Sequence, residues 1–155
     1  MEISGSDGNH LSLRISGYQF ADSADVRKRF SWHMVNGSVN CAEGDWKFEW
    51  QALACDESAR VSRWLRAVAS ASLDGLDLPS PLVFTEPNLR FDAARTLCDV
   101  TVSVWFDLEF QPPWRARRGA GDPYLVEFKV TAFQLTAAAD EWDIDVAAFP
   151  DGLAS

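Results

Sequence analysis

Between Cys98 and Phe110, Val100, Val102, Val104, Phe106, Leu108 and Phe110 fall at every second position without a break. Thr101, Ser103, Trp105, Asp107 and Glu109 occupy the positions between them. Successive strand side chains point to opposite faces. The pattern therefore predicts one strand from Cys98 to Phe110, packed on one face and largely solvated on the other. A helix would scatter the same residues around its circumference. A chain organised round such a strand needs partner strands and a covering layer.

Other segments supply both. Leu11, Leu13 and Ile15 alternate with Ser12, Arg14 and Ser16, as a half-buried strand does. Phe30, Trp32 and Met34 alternate with Ser31 and His33, which places the two polar residues toward solvent. Asn36-Gly37 reads as a turn, because both residues tolerate positive φ. Val39 and Cys41 continue the alternation, Glu43-Gly44-Asp45 forms a second turn, and Trp46, Phe48 and Trp50 open another strand. These pieces predict an antiparallel meander. Leu82-Val83-Phe84, then Leu89 and Phe91, then Tyr124, Val126, Phe128 and Val130 give further strands.

Two segments have helical spacing. Val61, Trp64, Leu65 and Val68 fall at i, i+3, i+4 and i+7, predicting a helix from about Asp56 to Ala71 with Asp56 as its cap. Arg60, Arg63 and Arg66 lie off the stripe, toward solvent. Leu135, Ala138, Ala139, Trp142, Val146 and Phe149 mark a second helix, opened by Thr131 and ended by Pro150 and Gly152. The expected fold class is α+β: a largely antiparallel, possibly curved sheet with two amphipathic helices on one face. A rolled, barrel-like sheet is the alternative.

At 155 residues the chain has the length of one domain, and residues 1–155 read as a single unit. Seven Trp and ten Phe supply area for a sizeable core. No stretch approaches the ~20 apolar residues that span a bilayer. Met1-Glu2-Ile3-Ser4-Gly5-Ser6-Asp7 lacks the basic and apolar segments of a signal peptide. A cytoplasmic protein without membrane contact is expected. The formal net charge of −9 disfavours nucleic acid as a partner and favours a basic one, or serves solubility alone.

Motifs for chemistry are missing from the sequence. Cys41, Cys55 and Cys98 form no CxxC pair, and His10 and His33 are too few to complete a metal site; buried thiols are expected. His10 reads as a turn residue. There is no GxSxG elbow, HExxH pair or calcium loop. Gly119-Ala120-Gly121 leads into Pro123 and a strand, whereas a phosphate loop leads into a helix. No catalytic residue, metal or cofactor is expected. Asp107 and Glu109 share a strand face about 7 Å apart, a spacing that admits carboxylate-based glycan hydrolysis but also suits a solvated face.

Two charged features stand out. Arg115, Arg117 and Arg118 beside Trp114 form a basic loop, which either touches RNA or an acidic partner or is solvated while Trp114 folds back on the sheet. Asp140, Glu141, Asp143 and Asp145 crowd the C-terminal half of the last helix around Trp142. Acids there oppose the helix dipole, at a cost of about 0.3–1 kcal/mol each. A locally unfavourable choice invites a role elsewhere, and these four are the candidate partner-binding residues.

Further motifs are spread along the chain: the Trp64-Leu65 helix; Phe84-Thr85-Glu86-Pro87-Asn88-Leu89-Arg90-Phe91; Glu109-Phe110-Gln111-Pro112-Pro113-Trp114; and Ala137-Ala138-Ala139 with Trp142 and Phe149-Pro150. In these the chain resembles the WapI-type immunity proteins of bacterial polymorphic toxin systems. The resemblance implies a small cytoplasmic protein that binds a cognate toxin domain and blocks it; for the namesake that toxin is a nuclease attacking tRNA. An acidic chain suits a basic toxin surface. No interface residue carries over, and Pro87, Pro113 and Trp142 read as scaffold. A small-ligand binding domain, with Trp residues lining an apolar pocket, is the competing reading; the oligomeric state is left open.

Overall fold

The structure, a computed structural model, describes residues 1–96, 99–116 and 121–152. It contains two four-stranded antiparallel sheets. The first has the order β1 (Glu2–Ser4), β2 (His10–Tyr18), β3 (Trp32–Cys41), β4 (Gly44–Ala54). The second has the order β5 (Leu82–Val83), β6 (Leu89–Arg95), β7 (Val100–Phe106), β8 (Tyr124–Val130). The α+β class and the antiparallel pairing are as expected. The strands divide between two sheets, and no barrel closes.

The sheets meet in two places. Backbone and side-chain hydrogen bonds join the β1–β2 connection to β8: Ser6 N–H donates to Lys129 O (2.8 Å), and Asn9 Nδ2 donates to Glu127 O (2.8 Å). Across the interior, Trp46 meets Phe106 edge-on at 5.3 Å, and Phe48 lies 4.1 Å from Phe110. Two short helices, α1 (Val26–Arg29) and α3 (Pro113–Ala116), lie in connections. The two long ones, α2 (Ala59–Asp74) and α4 (Ala132–Ala148), pack on each other, and α4 also contacts β1 and β2. One core cluster draws residues from both sheets and both long helices.

Asn36-Gly37 is no turn; it lies in the middle of β3. Gly37 stands between Leu13 and Phe48. A Cβ there would sit 2.5 Å from Phe48 Cζ and 2.6 Å from Ser12 O. The glycine makes room for an aromatic ring. The true hairpin follows at Cys41↔Gly44, with Gly44 at φ 143°.

His33 is fully buried, against the expectation of exposure. Val35 pairs with Ile15 and Val39 with Leu11, and this fixes the inward face of β3. His33 shares their parity, so it turns inward while Trp32 and Met34 are only partly covered. The predicted long strand also stops early. β7 ends at Phe106, Asp107 caps a 3-10 turn over Leu108–Phe110, and Leu108 adopts φ 48°. Phe110 is buried all the same, while Leu108 is exposed. Cys98 lies outside the described residues.

Asp56 does not cap α2. Ser58 holds the cap position, and its Oγ bonds His33 Nδ1 (2.7 Å) instead of the first helical N–H groups. Thr131 does cap α4, in a reciprocal box with Gln134.

Candidate functional surfaces

The acidic quartet on α4 is divided between two faces. Asp140 and Asp143 both grip Arg66 of α2, at 2.6 and 2.7 Å. Their hydrogen bonds hold the guanidinium pKa above its ordinary value. On the other face, Glu141 Oε2 accepts from Glu2 N–H (2.7 Å). Asp145 accepts from Ile15 N–H (3.3 Å) and pairs with Arg14 (3.3 Å). Trp142 is buried between the faces, and its indole N–H donates to Ser58 O (2.8 Å). These tertiary partners offset what the helix dipole makes unfavourable locally. Arg66, expected in solvent, is the bridge between α2 and α4; Arg63 is exposed.

His33, Ser58 and Cys55 are all buried, and His33 Nδ1 bonds Ser58 Oγ (2.7 Å). Burial holds the His33 imidazole below its ordinary pKa, against the pull of the Phe149 backbone and the Asp151 carboxylate. Burial likewise pushes the Cys55 thiol up to about 12, aided by Asp151 and Asp56, so it stays protonated at neutral pH. His10 is the first residue of β2, not a turn residue; it bonds Ser4 Oγ (2.8 Å) and Glu2 Oε2 (2.8 Å) at the surface. Among the described residues no group of three or more His, Cys, Asp or Glu could hold a metal ion.

Asp107 and Glu109 do not share a strand face, because β7 has ended before them. Asp107 Oδ1 accepts from Leu108 N–H (2.8 Å) and Gln111 Nε2 (3.0 Å). Glu109 accepts from Asn88 Nδ2 (2.9 Å), the buried amide of the Glu86-Pro87-Asn88 bend. The paired-carboxylate geometry that hydrolysis requires is therefore not built on this strand.

Trp114 folds back, meeting Trp46 at 5.5 Å and Tyr124 at 6.2 Å. Arg115 Nη2 donates to Asp122 O (3.3 Å); Arg117 and Arg118 lie outside the described residues. Three further Trp residues fill the core, with their N–H groups paired: Trp46 to Phe110 O, Trp64 to Ser80 O, Trp142 to Ser58 O. These indoles support the interior.

One apolar surface feature is a row that sequence patterning passed over. Register places Val83, Arg90, Trp105 and Leu125 opposite one another across β5, β6, β7 and β8. They form a single cross-strand row on the outer face of the second sheet. Val83 is 52% exposed and Leu125 43%. The Arg90 guanidinium lies 4.7 Å above the Trp105 ring, with Asp92 3.8 Å away. A groove of about 470 Å³ is lined by Val83, Arg90 and Trp105 of this row and by Pro87, Asp107 and Asp122. The signal was the lone aromatic on the solvated side of the Val100-to-Phe110 alternation, Trp105 among Thr, Ser, Asp and Glu. A second depression, of about 530 Å³, lies on the first sheet and is lined mainly by Ser12, Asn36, Ser38, Lys47 and Glu49.

The described residues form an α+β fold of two antiparallel four-stranded sheets with a packed pair of long helices. The model of the Immunity protein WapI-like family matches residues 2–150, and the chain belongs to that family. Comparisons with curated proteins and with solved structures found no match. No helix among the described residues is long and apolar enough to cross a membrane.

Proposed function

We propose that this chain is a non-catalytic immunity protein, acting as one domain in the cytoplasm, that binds and neutralises a cognate toxin domain with a basic, nuclease-type surface. The family match over residues 2–150 carries this reading. The net charge of −9 supports the basic partner, since opposite charge speeds encounter and suppresses wrong pairings. The reading involves no cofactor, nucleic acid or membrane. Asp140, Glu141, Asp143 and Asp145 contribute to the field that steers the partner. Within the chain they contact Arg66, Arg14 and backbone N–H groups, and Asp140 and Asp143 remain 66% and 45% exposed to a partner.

The test is co-expression with whichever toxin domain sequencing of the adjacent genes reveals. Cells should survive only with both chains present, and the purified pair should form a complex whose affinity falls as salt rises. Absence of both complex and protection would overturn the reading.

A further inference from the structure

We infer that the outer face of the second sheet, centred on Trp105, is a docking surface for a basic protein that seats an apolar side chain beside a Lys or Arg. The inference rests on the toxin-binding reading and names the surface that carries it.

The row Val83–Arg90–Trp105–Leu125 crosses four strands, so it is about 14 Å wide at the usual strand spacing of ~4.8 Å. Two of its members are exposed aliphatic side chains, and a third is an indole stacked by a guanidinium. Trp and Arg are the residue types that most often carry binding energy at interfaces. An uncovered apolar row beside a groove stands out on a sheet face whose next rows are Asp92, Ser103 and Glu127, then Ala94, Thr101 and Lys129.

Charge selects the occupant. Asp92 and Glu127 belong to the next row on the same face, and Asp107 and Asp122 line the groove. Within the row the one cation is Arg90, already engaged by Trp105 and Asp92. Arg115 reaches the carbonyl of Asp122. Among the described residues four carboxylates on this face and along the groove, Asp92, Glu127, Asp107 and Asp122, outnumber the cations Arg90, Arg115 and Lys129, and the complementary surface is basic with an apolar anchor. A second copy of this chain would set the same carboxylates against one another across a two-fold axis, which like-charge repulsion opposes.

The probe is the catalytically inactivated form of the toxin domain that the adjacent genes reveal, titrated calorimetrically into the intact chain. Trp105→Ala should weaken binding by about thirtyfold or more, the loss typical of a central interface Trp. The double variant Val83→Glu/Leu125→Glu leaves Trp105 in place and should weaken binding at least as much. Asp122→Asn should reduce the salt dependence of the affinity. Thermal melts within a few degrees of wild type show that the variants fold. If wild type binds and both Trp105→Ala and the double variant bind within about threefold of it, this surface is refuted while toxin binding stands. If wild type itself does not bind, the toxin-binding reading falls and this inference with it. A wild-type homodimer abolished by the double variant, or a small molecule retained by wild type in native mass spectrometry and lost with Trp105→Ala, would also overturn the assignment.

Discussion

Asp145 and Asp140 lie five residues apart on the same helix, and the structure gives them very different costs of removal. The Asp145 side chain is 13% exposed; it accepts the Ile15 N–H and pairs with Arg14. Truncation to Ala leaves a partly buried backbone N–H beside a strand bulge without its acceptor. A hydrogen bond to a charged group contributes about 1.5–3 kcal/mol, so Asp145→Ala should destabilise by about 2 kcal/mol. Asp140 is 66% exposed and shares Arg66 with Asp143. An exposed ion pair contributes about 0–1 kcal/mol, and Asp143 keeps its own bond to Arg66 when Asp140 is removed. Asp140→Ala should therefore shift stability by less than about 0.5 kcal/mol. In thermal melts at neutral pH, a chain of this size converts the Asp145→Ala loss into about 4–8 °C, and Asp140→Ala into ~2 °C or less. Asp145→Asn keeps an acceptor and should fall between them. Equal shifts for the two Ala variants, or none for Asp145→Ala, would refute the view that Glu141 and Asp145 anchor α4 to the first sheet.

Trp142→Phe should cost about 2–3 kcal/mol in urea unfolding, from the lost bond to Ser58 O and the space left unfilled; a loss under 1 kcal/mol would contradict its placement. Gly37→Ala should destabilise by about 2 kcal/mol or more through the Phe48 contact, and Phe48→Leu in the same chain should recover part of it; an unaffected single variant would count against the close approach. His33 has a folded-state pKa below its unfolded value near 6.5, so the unfolded chain takes up the proton first as pH falls. The contribution of the neutral imidazole is complete above about pH 6.5 and is lost as pH drops through the folded pKa. Melting temperatures at pH 7.5 and 5.5 should diverge more for wild type than for His33→Gln, and parallel pH profiles would remove the assignment.

Hydrophobic periodicity carried most of the architecture because burial acts residue by residue. The Val100-to-Phe106 alternation, the Val61-to-Val68 stripe and the Thr131 cap are local patterns, and each became the element expected. Errors arose where a distant partner decides. Gly37 has the composition of a turn, but its role is fixed by Phe48 from the next strand. His33 belongs to an apparently polar set, but pairing with β2 sets the parity of β3. The alternation continued through Leu108 to Phe110 although the backbone did not, because a 3-10 turn returned Phe110 to the core while turning Leu108 out. The acidic quartet was legible as an anomaly, but its partners Arg66, Arg14, Ile15 and Glu2 lie 70 residues or more away along the chain. Trp105 was visible as an aromatic among polar neighbours; that Val83, Arg90 and Leu125 align with it depends on strand register, which alternation alone does not give.

On the proposed toxin-binding reading, the two sets of carboxylates would divide the work. Those on α4 are tied to Arg66, Arg14 and backbone N–H groups, so their geometry is fixed from within. A partner cation could take Asp140 or Asp143 only by competing with Arg66, which lowers the net gain of such a contact. Their charge still acts at a distance, and within about a Debye length it helps set the encounter rate. Asp92, Glu127 and Asp122 stand beside exposed apolar side chains, where an arriving basic residue can shed water against Trp105 and Leu125. Salt should therefore act on the two sets differently. Neutralising Asp140 and Asp143 should slow association at low ionic strength with little change in dissociation, whereas Trp105→Ala should speed dissociation at any salt. If Asp140 and Asp143 govern the dissociation rate and Trp105 does not, contact lies on α4 and this division is reversed.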